Sequence, residues 1–356
     1  MKVMRNDMLN GLEAVKPGLA GKDDLIEQSG CFVFQGGRVA TYNDVTAVIY
    51  PLDLGMECAV DAAALHHLIR RSPEDSELEC SLEKGEFRVT NGRRYTAGIR
   101  TEAEVRLPLS EIGAPDKWAP LPADWIEAAE MCLVSVGRDA NRPVLSCVHF
   151  ISDIKTRAAW AESADGFRAT RRMMRPIARA VDLAVAEHAV RALRHYTPTK
   201  WGVTDSWIHF VNDAGVTYAV RRQADPFPDL NVVFDDQGAA ASGSLPDGAT
   251  DALERARGFC VKNQSTATFI RMELKANVLT VSARGDAGWF RERLTADWKG
   301  EACAFDVSPQ FLAEALTLIR NFTVVDGRRL LMRGEGFIHV LGLVTTDEAA
   351  GDAAGK

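Results

Sequence analysis

The sequence predicts an α+β chain of three similar domains, and three observations carry that expectation. The chain has 356 residues, too many for one ordinary core and enough for two or three domains. Apolar residues at helical spacing alternate with short runs of period two, the pattern of helices laid on antiparallel strands. That pattern recurs three times, at intervals of roughly 110–120 residues, each time as two halves of one helix and its strands.

In the first repeat, Met8, Leu9, Leu12 and Val15 mark a helix over residues 5–16, which Pro17-Gly18 stops. Strands at 30–34 and 38–42 flank Gln35-Gly36-Gly37, a hairpin signal, and a third strand follows at 46–51. A second helix starts at Asp61 and ends before Ser72-Pro73. Strands at 77–82 and 86–90 enclose the turn Glu83-Lys84-Gly85, and a polar link reaching Trp118 closes a first domain over residues 1–118.

The second repeat spans 119–236. Its first helix, at about 123–136, carries Trp125, Ile126, Ala129, Met131 and Cys132, and strands at 146–151 and 157–161 lead to a tight turn at Asp165-Gly166. A helix at 186–195 and strands at 201–204, 207–212 and 217–222 complete it. The third repeat, 237–345, opens on a link rich in Gly, Ala and Ser at 237–244, followed by a helix at 250–260 and strands at 268–274, 278–284 and 289–294. Ser308 caps a last helix ahead of Phe311, Leu312, Ala315 and Leu316, and strands at 323–325, 329–333 and 337–344 follow. Residues 346–356 have the small, polar composition of a disordered tail.

Composition narrows the function. With 46% hydrophobic and 26% charged residues the chain reads as soluble and globular. No apolar run approaches the ~18 residues of a membrane span, and the first residues lack a signal peptide's apolar core. A cytoplasmic protein without a membrane partner is expected. The seven cysteines are scattered, with no Cys-x-x-Cys pair, which favours buried thiols over a disulfide framework or zinc site. A net charge of −7 opposes a surface coated with nucleic acid but allows a local basic face. There is no phosphate loop, His-Glu-x-x-His or nucleophile elbow, and the seven histidines do not cluster with carboxylates. No catalytic residue, metal or cofactor is expected.

Five stretches give the repeat a more specific meaning: Pro108 to Trp118, Arg142-Pro143-Val144-Leu145-Ser146, Ser163-Ala164-Asp165-Gly166-Phe167-Arg168, Phe227-Pro228-Asp229-Leu230, and Gly336 to Leu343. In this order on a threefold repeat they resemble the bacterial sliding clamp, the β subunit of DNA polymerase III, over nearly the full length. The resemblance implies a DNA-clamp fold: two three-domain chains closed head to tail into a ring of six domains, helices lining a hole for duplex DNA and sheets outside. The divergence and compact length fit a clamp encoded by a phage or mobile element. As a non-catalytic processivity factor it would tether a replicative polymerase and engage a clamp loader and other proteins bearing a clamp-binding motif. The family's site for such peptides, typically a Gln followed by leucines and an aromatic, lies between the second and third domains.

Carried over by position, that site would be walled by Leu145, Gly166, Phe167, Arg168, Pro228, Val233, His339 and Leu341. Core packing is the competing reading for Leu145, Val233 and Leu341, and the alternation of His339 with Ile338 and Val340 also fits a solvent-facing side chain. Phe167 stands where the family often has His, Ala169 where it often has Leu, and Gly342 where Pro is usual. Duplex DNA, held by its phosphates without base reading, would meet Arg70, Arg71, Arg191, Arg194, Lys200, Arg255, Arg257 and Arg320. The competing reading is that basic residues near helix C-termini answer the helix dipole. Asp23-Asp24 stands where the family has a basic loop. The homodimer seam of the family points to the strand holding Tyr95 and Ile99 in one copy and to Phe259 in the other. A clamp-like adaptor or decoy that binds partner peptides without supporting replication remains the alternative.

Overall fold

The computed structural model describes residues 1–21, 26–102, 104–177, 179–260 and 268–344. Asp23, Asp24 and the tail from Thr345 lie outside the described residues. Among these residues no helix is long and apolar enough to cross a membrane. The chain divides into two compact units, one of residues 1–126 with 188–224, the other of 127–187 with 225–356.

The first unit is a twelve-stranded antiparallel sheet with helices laid against it. Helix Arg5–Val15 buries Met8, Leu12 and Val15, three of the four residues whose spacing predicts it. Helix Ala62–Arg71 buries Ala62, Leu65 and Ile69, and its start is set by Asp61, whose carboxylate accepts the Ala64 N–H at 2.7 Å. Strand Thr46–Pro51 pairs with strand Thr217–Arg221, Thr46 opposite Val220 and Ile49 opposite Thr217. A single sheet thus joins strands of the first and second repeats. Phe34 stacks on Phe87 at 5.4 Å in its core.

The second unit holds a nine-stranded and a four-stranded sheet. Strand Arg168–Met173 of the second repeat pairs with strand Phe337–Gly342 of the third, Arg168 opposite Leu341 and Thr170 opposite His339. The core beside helices Ala249–Arg257 and Pro309–Leu316 gathers Leu253, Leu312, Ala315, Leu330, Met332 and Leu341. On the other face of the large sheet, Ala169 and Val340 are covered by Leu230, Val233 and Phe234.

The glycine- and alanine-rich stretch read as a link is a strand, Ala239–Ser244, hydrogen-bonded to Asn321–Val325 on one side and Asp297–Lys299 on the other. Gly243 is a packing requirement: a Cβ there would lie 2.5 Å from the Asp297 carbonyl oxygen. The helix expected over 123–136 is α-helical from Ala123 to Cys132 and tightens to a 3-10 turn over Leu133–Ser135.

Candidate peptide site and basic helices

The turn at Asp165-Gly166 positions the candidate site. Gly166 takes φ +92°, open to glycine at little cost, and the Asp165 carboxylate accepts the N–H groups of Phe167 and Arg168, both at 2.9 Å. Strands Ala158–Ala164 and Arg168–Met173 therefore reverse at a fixed point, with Arg168 the first residue past the turn.

Arg168 is held on three sides. Its Nε donates to Asp165 at 2.9 Å, its Nη1 to Glu314, and its guanidinium lies 4.1 Å from the centre of the Phe311 ring. Burial would raise the Glu314 pKa, but hydrogen bonds from Arg168 and Gln310 outweigh it and hold the carboxyl below its usual range. Phe167, 62% exposed, packs its ring 6.4 Å from that of Phe311. The result is an exposed aromatic rim around a neutralised charge pair.

Behind that rim the sheet is unexpectedly polar. His339 is fully buried, so the solvent-facing reading of its alternation is wrong. The sheet is covered on both faces here, and period two no longer separates core from solvent. The His339 Nδ1 lies 2.7 Å from Thr170 Oγ1, itself 2.7 Å from Ser135 Oγ, while the His339 Nε2 is buried without a hydrogen-bond partner among the described residues. Burial, helped by the Arg168 charge, pushes the His339 pKa down to about 3, so the ring is neutral at pH 7.

The expected wall is brought together in part. Gly166, Phe167, Arg168, His339 and Leu341 share the strand pair or its turn, and Leu341 joins the core that contains Leu312. Val233 belongs to the cluster on the opposite face, with Leu230 and Val340. Leu145 is buried, with its carbonyl accepting the Gly137 N–H at 2.8 Å, and Pro228 is exposed. Gly342 has a local reason: its N–H donates to the Phe167 carbonyl at 2.7 Å, which proline could not do, and a Cβ there would lie 3.0 Å from that oxygen. Phe311, Glu314, Thr170 and Ser135 were missed. Phe311 and Glu314 stand three apart on a capped helix, a spacing that puts both on one face.

The arginines expected at DNA divide by unit. In the first unit, Arg70, Arg71, Arg191, Arg194 and Lys200 are exposed. Arg70 and Arg71 line a cleft of ≈ 540 Å³ with Lys16, His66 and His67. In the second unit, Arg255 makes two hydrogen bonds to Glu292 at 2.9 and 2.8 Å, Arg320 lies 3.0 Å from Asp247, and Arg257 is 3.9 Å from Glu254. The two places expected at the dimer seam are a strand and a residue just past a helix, Phe259 after Ala249–Arg257. Strand Tyr95–Glu102 pairs on one side with Glu86–Asn91 and on the other only at Thr101 and Glu102. Strand Gly288–Thr295 ends the four-stranded sheet, and Phe259 stacks on its Phe290 at 5.8 Å.

No protein-family model matches the chain, and no curated protein matches it in sequence. Solved structures do. The chain is similar to the DNA polymerase sliding clamp of Pseudomonas aeruginosa with a ligand, at 14% identity and TM-score 0.84, covering 97% of this chain and 99% of that one. It is similar to the pol III beta of Caulobacter crescentus at 14% identity and TM-score 0.83, with the same coverage. A Pseudomonas aeruginosa DnaN sliding clamp bound to griselimycin gives 13% identity and TM-score 0.82, again covering 97% and 99%. The expected clamp fold is therefore the fold of this chain.

Proposed function

We propose that this protein is a DNA sliding clamp, a non-catalytic processivity factor in which two copies, each of domains 1–118, 119–236 and 237–345, close head to tail around duplex DNA. The observation that carries the reading is a clamp fold along nearly the whole chain together with two eight-residue strands that, among the described residues, each leave a long edge open. Both have the same alternation of half-buried and exposed residues. Long open edges are a liability in a monomer and a ready means of pairing between copies. One copy's Tyr95–Glu102, with Tyr95 and Ile99, would meet the other's Gly288–Thr295, backed by Phe259. Such a contact joins different surfaces and closes after two copies only if the angle permits, which makes it a ring.

The mechanism is topological. A closed ring needs no grip on bases, so Arg70, Arg71, Arg191, Arg194 and Lys200 would face phosphates loosely and let the ring slide. A polymerase, clamp loader or other partner would dock a short peptide at the Phe167–Arg168 rim, and tethering would raise its effective concentration at the primer end.

Light scattering across a dilution series tests the ring first. A mass near twice the 38.9 kDa chain is expected; a stable monomer overturns the ring and moves the adaptor reading ahead. Retention on nicked circular duplex, lost on linearisation, is the second arm. Reversing charge at Arg191 and Arg194 should shorten that retention with folding intact, and unchanged residence would remove the channel assignment.

A further inference from the structure

The four-stranded sheet carries, on the face turned away from the core, a cleft that neither the peptide site nor the basic helices use. Its strands lie in the order Gly288–Thr295, Val278–Gly285, Ile270–Lys275, Cys303–Val307. Ile270, Met272, Leu279, Val281 and Phe305 belong to the core, so their chain neighbours stand on the opposite face. The register sets Arg291, Ser282, Arg271 and Asp306 in one row across that face, and Trp289 with Arg284 in the next. With Phe269 they line a cleft of ≈ 530 Å³.

Charge on this face is unbalanced. Arg271 donates to Asp306 at 3.3 Å, and Arg291 lies 3.7 Å from Glu273. Arg284 and Arg293 are exposed and have no ion pair or hydrogen bond among the described residues. Asp286, in the turn between two of these strands, pairs with neither. In a chain of net charge −7, this is a local positive field. Trp289 stands within it, 71% exposed, and its ring has no aromatic or cation–π contact among the described residues. The proposed seam does not cover it. Pairing along the open edge of Gly288–Thr295 uses backbone groups and lengthens the sheet, which leaves the face free. Phe259 and Phe290, which back that edge, pack on the core side.

We infer that this face binds single-stranded nucleic acid, with phosphates on Arg284, Arg291 and Arg293 and a base stacked on Trp289. A bare indole beside unpaired guanidinium groups supplies both contacts that a single strand needs. A duplex keeps its bases stacked inside and leaves the indole unused. An acidic peptide meets the arginines but brings no flat ring of its own with every residue. Binding is independent of sequence, because every base has a face to stack. It needs neither a closed ring nor the basic helices, so it stands or falls apart from the clamp reading.

The test uses the full chain and a short fluorescein-labelled oligodeoxythymidine, which forms no duplex with itself, read by anisotropy at low salt. Trp289→Ala should weaken binding about tenfold, the effect of losing one stacked base, and Trp289→Phe should restore most of it. Replacing Arg284 and Arg293 by alanine should flatten the slope of log affinity against log salt by about 1.4, the share of two phosphates on a single strand. A hairpin duplex should bind without dependence on Trp289. No binding of the oligonucleotide, or equal binding by wild type and Trp289→Ala, overturns the inference. Loss of binding on reversing charge at Arg191 and Arg194, with Trp289→Ala unaffected, would put the strand on the basic helices and overturn it as well. Polyglutamate that binds through Trp289 where the oligonucleotide does not would give the face to an acidic protein instead. Light scattering of Trp289→Ala reads the last occupant: an unchanged mass is expected, and a halved one would make Trp289 a contact between copies, overturning the inference while the ring stands.

Discussion

Two histidines lie buried in the same nine-stranded sheet, and their neighbours drive them in opposite directions. His149, on strand Cys147–Asp153, is 5% exposed and has a carboxylate on each nitrogen: Glu162 at 3.0 Å from Nδ1 and Asp182 at 2.9 Å from Nε2. Burial alone would lower its pKa, but the two hydrogen-bonded carboxylates outweigh it and the pKa is raised. His339, fully buried, has a hydroxyl on one nitrogen and no hydrogen-bond partner on the other among the described residues, and its pKa falls to about 3. Depth in the sheet is nearly the same. Counter-charge is what differs, and it decides which histidine is favoured in its charged form and which is held neutral.

Removing the counter-charge of His149 is the largest way to break this contrast. Glu162 is 2% exposed, and besides His149 it takes Arg171 Nε at 2.8 Å and Nη2 at 2.6 Å. Arg171 in turn lies 4.4 Å from the Phe234 ring centre and bonds Asn231, tying the 227–234 segment to the sheet. Glu162→Gln should cost ~3–5 kcal/mol in chemical denaturation, the range for stripping one partner from a buried pair. It should also reverse the pH slope at His149. With the raised pKa, its stabilising contribution is full below the unfolded value of 6.5 and is lost as pH rises through the folded pKa. With burial left to dominate, stability would instead fall as pH drops below 6.5. A loss under 1 kcal/mol (about the value of an exposed pair) would show that the carboxylate is not the linchpin its burial suggests.

How far the sequence reveals these sites depends on whether neighbours in space are also neighbours in the chain. Asp165-Gly166 was legible because the turn is local: the positive φ and the carboxylate that caps it come from adjacent residues. The Ser308 cap was legible for the same reason, its hydroxyl accepting the Phe311 N–H at 3.4 Å. The strand Ala239–Ser244 was not, because small residues carry no strand preference and the reason for Gly243 is the backbone at Asp297. The strand Val181–Ala186 was also overlooked, although Val181, Leu183 and Val185 alternate. The charge state of His339 could not be read from its own strand, since Arg168 and Thr170 reach it from one other strand and Glu314 from a helix.

His339 offers the middle-sized test, and its sign is opposite to that of His149. A histidine kept neutral by burial contributes nothing adverse above pH 6.5. As pH falls toward the folded pKa of about 3, the unfolded chain takes up a proton the folded one refuses, and stability is lost progressively. His339→Leu removes that liability. In thermal denaturation at pH 7 the variant should lose about 1–2 kcal/mol, because the buried Thr170 hydroxyl loses its partner at Nδ1 even as the unpaired Nε2 is removed. At pH 4 the variant should be the more stable by ~2 kcal/mol. An acid limb identical to that of the wild type would mean that His339 titrates normally, and that solvent or a neighbouring group satisfies its Nε2.

The smallest effect belongs to the other carboxylate of His149. Asp182 makes a 2.9 Å contact, as short as that of Glu162, yet its side chain is 82% exposed. Water and salt screen such a charge, and holding an exposed side chain in place costs entropy that offsets the gain. Asp182→Asn keeps a hydrogen-bonding atom near Nε2 while removing the charge. The melting temperature should move by no more than about 2 °C at neutral pH and less in 1 M salt. A shift approaching that of Glu162→Gln would mean that both carboxylates act as one buried unit. The contrast between His149 and His339 would then rest on the number of counter-charges and not on their depth.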